Sequence, residues 1–289
     1  MSRSLFLDIS SEYAPPISFI LLRTSALDRK SLVVGIGGRI VCDVTGFAAS
    51  TYLRGLPFGF VPTTLLAQVD ASIGGKNGVN FKGYKNLIGT IRQPEFCIID
   101  FNVLHSLPER EIRSGFAEVV KHAAIGDSKL FDYLEGNVDA LLSLHHSALE
   151  RAIRSSLRVK KAIVQRDEQE DGERMKLNFG HTIGHGVEKT TGRAHGEAVS
   201  IGMVAEAKIS LMRKILSKSA SLRLERLLER FGLPTSMTGE DGEAIVEAVG
   251  KDKKRDGDSV QMVHLEKIGK ARISRIGLNE LSWMVHDLC

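Results

Sequence analysis

Disulfide chemistry has little to work with in this chain. Its three cysteines, Cys42, Cys97 and Cys289, sit at unrelated spacings. They make neither a CxxC knuckle nor a paired framework, which excludes a disulfide-stapled scaffold and points to a reducing compartment. Long hydrophobic runs are also missing: the early apolar stretch from Ile17 to Leu22 is too short to span a bilayer. No basic leader with a small-residue cleavage site accompanies it, so neither a membrane protein nor a signal peptide is expected. There is no block of one charge. The net +4 comes from 39 basic and 35 acidic residues scattered along the chain, a pattern that argues against nucleic acid and suits a small anion. Repeats and low-complexity tracts are absent too. What remains is 289 residues, 43% hydrophobic and 26% charged, ordinary for a soluble protein and long enough for two modest domains. A soluble, cytoplasmic protein is the expectation.

The pattern changes once along the chain. Residues 1–30 are poorly patterned and interrupted by Pro15-Pro16. Leu32 to Ile36 reads as a buried strand running into Gly37-Gly38, and helical periodicity follows to Leu53. Strand, glycine turn and helix form a geometry that sets a helix N-terminus against a phosphate, although a Gly-Gly alone equally fits a tight turn. Phe58 to Val61 and Phe96 to Asp100 read as further buried strands, with a glycine-rich, Lys-bearing segment between Val69 and Asn86 that lacks Walker spacing. From Leu107 onward the periodicity is helical, over about 109–125, 138–165, 178–191, 196–214 and 219–231, the last an amphipathic core helix through Leu222, Leu224, Leu227, Leu228 and Phe231. Val260 to Leu265 and Ala271 to Ile276 alternate around Gly269 as a hairpin. The reading is an α/β nucleotide-binding domain with an incomplete Rossmann-like sheet over residues 1–106, then a mainly α-helical domain over 107–289. A site in the cleft between them is the default.

The chemistry concentrates in Asn178-Phe179-Gly180-His181-Thr182-Ile183-Gly184-His185. Histidines four apart share one helix face and can converge on an ion or substrate, although such pairs more often decorate a helix. A third histidine follows in His195-Gly196-Glu197, and Asn178, Arg174 and the glycines nearby fit a place where backbone approaches a ligand.

Together with Asp43-Val44-Thr45-Gly46-Phe47, the run Val61 to Ser72, Gly74-Gly75-Lys76, Lys85-Asn86 and Ser114 to Lys121, these stretches resemble the 3-dehydroquinate synthase family of sugar-phosphate cyclases. The resemblance runs from about residue 28 to the C-terminus. It implies NAD and one divalent metal, zinc or cobalt, with Glu118, His181 and His195 as ligands. That set leaves coordination positions open for substrate. It also implies the reaction: 3-deoxy-D-arabino-heptulosonate 7-phosphate becomes 3-dehydroquinate and phosphate through transient oxidation by NAD, phosphate elimination, reduction and intramolecular aldol closure. By the same resemblance Arg54, Lys76, Lys121, Lys160, Arg174 and a lysine at 253 or 254 bind and orient the anionic sugar phosphate. Asn86, Asn178 and Asp70 hold its polar groups, and His185 is the phosphate-side proton carrier. Gly37, Gly38, Asp43, Thr63, Thr64, Lys76, Lys85 and Ser106 fall on NAD-facing positions. A homodimer in the shikimate pathway follows, with neither nucleic acid nor membrane as partner. Read singly, Lys121 fits a surface bridge to Glu118, and Lys160-Lys161 a solvated helix face. The other histidines, His105, His122, His145, His146, His264 and His286, are expected at the surface or as helix caps.

Two departures stand out. The family's three glycines and Gly-Asp are replaced by Gly37-Gly38-Arg39-Ile40-Val41-Cys42-Asp43, which puts a long cation and a thiol near the expected pyrophosphate position. Residues 1–27 hold no Gly-Glu-x-x-Lys pattern and cannot supply the strands that precede in family chains, so an exposed sheet edge and apolar helix faces are expected. Two alternatives share the motifs: a related cyclase or polyol dehydrogenase, and a non-enzymatic, metal-holding descendant unable to bind NAD.

Overall fold

A computed structural model describes residues 27–289 apart from 82–83, 238, 251–254 and 257. The expectations about the start of the chain and about a lysine at 253 or 254 lie outside the described residues, as does the Lys85 side chain. The chain divides into two compact units, Met1–Leu107 and Pro108–Cys289.

In the first unit the order is β1 (Val33–Gly37), α1 (Arg39–Thr51), β2 (Phe58–Pro62), β3 (Lys76–Phe81), β4 (Tyr84–Ile91) and β5 (Phe96–Cys97). Strands β1, β2 and β5 form a parallel sheet in that order, with Val33 opposite Phe58 and Gly59 opposite Phe96. Helix α1 lies directly on β1, because a Cβ at Gly35 would come within 2.9 Å of the Thr45 hydroxyl. Cys42 and Ala49 of α1 pack with Phe58, Phe60 and Ala67 into a small core. On β1, Val34 (41% exposed) and Ile36 (58%) face away from that core. Strand β5 is shorter than the expected Phe96–Asp100, and half-buried. Asp100 instead starts the helical turn Phe101–Ser106 by accepting the Asn102 N–H at 2.9 Å.

The segment between Val69 and Asn86 is not one loop. A π-helical turn, Ala67–Ala71, leads into the antiparallel hairpin β3–β4, in which Lys76 faces Ile91 and Val79 faces Ile88. Asn77 holds its base through side-chain bonds to the carbonyls of Gly75 (2.9 Å) and Arg92 (3.0 Å).

The second unit contains α2 (Glu109–Gly126), α3 (Ser128–Gly136), α4 (Val138–Leu142), α5 (His146–Arg166), α6 (His181–Thr191), α7 (His195–Met212), α8 (Lys218–Arg230) and α9 (Gly242–Gly250). An antiparallel sheet of β6 (Arg255–Asp256), β7 (Ser259–Lys267) and β8 (Lys270–Gly277) follows, then α10 (Leu278–His286). The stretch expected as one helix over 138–165 is two, parted at Leu144, whose φ of +55° no helix accommodates. The helix expected from 178 begins at His181, preceded by the tight turn Glu173–Asn178. In α8 the core face holds as read except at Leu222, which is 37% exposed. Helix α7 is buried on nearly every side from Gly196 to Ser210 and forms the axis of the unit. Among the described residues no helix is long and apolar enough to cross a membrane.

Candidate metal centre

Three elements of the second unit bring ligand atoms to one point. Glu118 lies in the middle of α2, His181 opens α6 and His195 opens α7. The glycines around them decide the spacing. A Cβ at Gly202 of α7 would sit 2.0 Å from the Gly180 carbonyl oxygen, and one at Gly184 of α6 would sit 2.9 Å from the Ala198 carbonyl oxygen. The two backbones therefore cross in contact, as only small residues permit. Gly196 does the same against α2, where a Cβ would meet the Ser114 carbonyl oxygen at 2.4 Å. Its N–H donates to the Ser114 hydroxyl at 3.1 Å, one turn before Glu118. Glu197 accepts the Ala194 N–H at 3.2 Å and clamps Arg110 of α2 with bonds of 2.7 and 2.9 Å.

The Glu118 Oε1 stands 3.6 Å from His181 Nε2 and 3.5 Å from His195 Nε2. All three ligand atoms lie within 4.8 Å of one another. Ligands about 2.1 Å from a tetrahedral ion stand roughly 3.4 Å from each other, so the spacing and the N, N, O donor set both fit a divalent cation. Oxygens stand behind the imidazoles. His181 Nδ1 faces the Phe179 carbonyl at 3.2 Å, and His195 Nδ1 faces the Glu188 carboxylate at 3.7 Å. Such partners leave Nε2 as the ligating nitrogen.

The electrostatics favour binding. Burial, then the nearby Lys121 ammonium, hold His181 well below the usual imidazole range, which keeps it neutral. Burial pushes the Glu118 carboxyl up, but Lys121, His195 and His181 together hold it well below the usual carboxylate range. Neutral imidazoles and an ionised carboxylate are the protonation states a metal requires. The Lys121 ammonium pairs with Glu118 Oε2, and both side chains are buried, so this is no surface bridge. His185 is half-buried one turn along α6, its ring edge-on to His181 with centroids 5.3 Å apart.

The remaining expected residues of this unit sit on elements packed against α2. Lys160 of α5 is buried while Lys161 is exposed, so only the second fits a solvated face. Arg174 is buried in the turn Glu173–Asn178, with its N–H on the Asp167 carboxylate at 2.8 Å and its guanidinium on the Glu168 carbonyl. Asn178 donates to Glu170 at 3.0 Å. Two histidines expected at the surface are fully buried: His122 of α2 against the Ser156 hydroxyl (2.7 Å), and His264 of β7 between Ser210 and Arg213 (3.2 Å each). Hydroxyl and guanidinium partners from distant helices made both burials affordable and left no local signal.

In the first unit, Gly37, Gly38, Thr63 and Thr64 gather at the C-terminal ends of β1 and β2. Thr63 N–H donates to Gly37 O at 2.9 Å, and a Cβ on Gly38 would meet the Thr64 methyl at 3.0 Å. Carboxyl ends of parallel strands are where open α/β sheets receive ligands. Asp43 pairs with Arg39 one turn before it, at 3.7 Å. Cys42 is buried in the core with its thiol donating to the Gly37 carbonyl at 3.9 Å, and burial pushes that thiol up to about 12. Arg54 is exposed at φ +68°, Asp70 is half-buried, and Lys76 and Asn86 are exposed on the hairpin. Ser106 is exposed and bonded to its own turn through Val103 O at 3.0 Å.

Comparison with known proteins decides the family. The N-terminal 3-dehydroquinate synthase domain family matches residues 13–114, and the C-terminal one matches residues 115–255. The chain belongs to the 3-dehydroquinate synthase family. The 3-dehydroquinate synthase of Thermoanaerobacter pseudethanolicus is 44% identical over 256 residues, 88% of this chain and 72% of that protein. That of Prochlorococcus marinus MIT 9313 is 43% identical over 278 residues, 93% of this chain and 75% of the relative. Solved cyclases are more distant. The 2-epi-5-epi-valiolone synthase ValA of Streptomyces hygroscopicus subsp. jinggangensis 5008, with NAD+ and Zn2+ bound, is 27% identical at TM-score 0.89, covering 98% of this chain and 81% of its own. A 2-deoxy-scyllo-inosose synthase with carbaglucose-6-phosphate, NAD+ and Co2+ is 26% identical at TM-score 0.88, covering 99% and 83%. Identity thus favours a 3-dehydroquinate synthase over the related cyclases.

Proposed function

We propose that the chain converts 3-deoxy-D-arabino-heptulosonate 7-phosphate to 3-dehydroquinate and phosphate, using NAD and a divalent ion held by Glu118, His181 and His195. The observation that carries the reading is the convergence of the buried Glu118 carboxylate and the imidazoles of His181 and His195 within 4.8 Å of one another. When bound, the ion supplies Lewis-acid polarisation of a secondary alcohol, and NAD supplies removal and return of hydride.

The chain's own residues do the rest. Lys121, held against Glu118, keeps that carboxylate ionised and aimed. Lys160 and Arg174 are buried cations suited to a carboxylate and a phosphate, the guanidinium by two parallel bonds and the ammonium as a point charge. His185 moves a proton at the phosphate end, and Asn178 orients a substrate hydroxyl. Asp70, Lys76, Asn86 and Arg54 complete the substrate's polar contacts; Gly37, Gly38, Thr63 and Thr64 receive the cofactor, with Asp43, Lys85 and Ser106 around it. A lyase of this kind belongs in the cytoplasm as a homodimer of the shikimate pathway.

Phosphate release by the zinc-loaded chain supplied with the heptulosonate phosphate tests the reading. Release that requires added NAD supports it. A folded, zinc-loaded protein that releases no phosphate with NAD present overturns it in favour of the metal-holding descendant.

A further inference from the structure

Helix α6 carries His181 on its first residue, yet it has no capping side chain of its own. Its N-cap is Gly180, in the left-handed region at φ +78°, and no side chain of the local sequence accepts from the first turn. The acceptor comes from elsewhere. Glu206, fully buried near the far end of α7, places Oε2 2.8 Å from the Gly180 N–H and Oε1 3.0 Å from the Thr182 N–H and 3.3 Å from the Ile183 N–H. These N–H groups are among those a helix start leaves without an intrahelical acceptor. A carboxylate at that end also meets the positive pole of the helix.

The two helices joined in this way are those that open with the metal-ligand histidines. His195 and Glu206 share α7, eleven residues apart, so the carboxylate that fastens the first turn of α6 is rigidly connected to the second imidazole. The close crossing at Gly180, Gly184 and Gly202 sets how near the helices come. It does not stop the first turn of α6 from fraying or rotating about its axis. Three directional hydrogen bonds do. We propose that Glu206 is a positioning residue of the metal centre, holding the first turn of α6 so that His181 meets the ion in register with His195. The proposal rests on the metal reading of Glu118, His181 and His195.

The test compares Glu206→Gln with Leu227→Ala, a core change in α8 away from the site, each measured for zinc affinity by chelator competition and for melting temperature with and without zinc. An amide side chain offers one acceptor oxygen and sets an NH2 group against the remaining N–H donors. We expect Glu206→Gln to weaken zinc binding about 10- to 100-fold, as changes behind metal ligands do. The rise in melting temperature that zinc gives should shrink with it. Leu227→Ala should lower the melting temperature and leave zinc affinity unchanged. Zinc affinity within twofold of wild type in Glu206→Gln would reduce Glu206 to a structural role and overturn the proposal. If that variant fails to fold, amide exchange in the wild-type protein decides: slow exchange at Gly180, Thr182 and Ile183 is expected, and exchange as fast as in loops overturns the capping. Wild-type protein that binds no zinc would instead sink the metal reading, while the amide result still reports on the cap.

Discussion

The two units present their candidate residues in opposite ways. In the second, Glu118, Lys121, Lys160 and Arg174 are buried, His181 and His195 nearly so, and the centre is assembled by crossings in which a single methyl group has no room. In the first, Arg54, Lys76, Asn86 and Ser106 are exposed, and the residues that do gather, Gly37, Gly38, Thr63 and Thr64, offer mostly backbone. One candidate site is built into a core. The other is a surface of small residues and long side chains. Loss of the first should therefore be read in metal content and stability, and loss of the second in turnover.

The sharpest way to break this contrast is a pair of substitutions. His181→Ala should lose its zinc entirely on dialysis and lower kcat/KM more than the ~100-fold that follows from disturbing a partner behind a ligand. Lys76→Met should keep a full complement of zinc and lower kcat/KM on the order of 10- to 100-fold, the range for losing a charged hydrogen bond to substrate. Full zinc content in His181→Ala, or zinc loss in Lys76→Met, collapses the distinction.

A smaller effect is expected at the helix crossing. Gly202→Ala should destabilise by about 1–3 kcal/mol, because the new methyl would fall on the Gly180 carbonyl. Gly136→Ala, with nothing within 4 Å of the new atom, should change stability little or raise it by about 0.5 kcal/mol. Urea midpoints measured at constant m separate them, and equal midpoints would remove the crossing as the source of rigidity.

The smallest effect concerns pH. Burial, then Arg213 and Arg272, lower the His264 imidazole from 6.5 to about 4, so the fold holds it neutral. Below about pH 6.5 the unfolded chain binds a proton that the folded chain refuses. Stability should therefore fall as the pH drops from 6.5 toward 4, and be unaffected by this group above that window. His264→Gln should flatten the decline between pH 7 and pH 5. A decline of unchanged slope would assign it to other groups.

Much of the helical unit could be read from spacing, because His181, His185 and His195 stand among glycines in a strongly periodic stretch. The parallel strands announced themselves as short apolar runs ended by Gly37 and Pro62. Other features escaped for identifiable reasons. Helices α3, α9 and α10 are nine residues each, too short for periodicity to declare itself. The hairpin β3–β4 hid because its strands carry asparagine and glycine at inward positions, where Asn77 and Gly78 serve hydrogen bonding and close approach. His122 and His264 were misplaced because their partners are 34 and 54 residues away. Glu206 left one clue, a lone charge between Val204-Ala205 and Ala207 in an apolar helix, where a carboxylate has to find donors.

The burial of Cys42 turns the first unit into its own clock. A thiol held at about 12 inside the core around Phe58 and Phe60 is almost never a thiolate at neutral pH, and alkylating reagents act on thiolates. With Cys97 and Cys289 replaced by serine, labelling at Cys42 proceeds only through molecules whose first unit has momentarily opened. The rate of mass gain then times that opening, and its slowing on addition of NAD would measure how far the cofactor holds the small sheet shut.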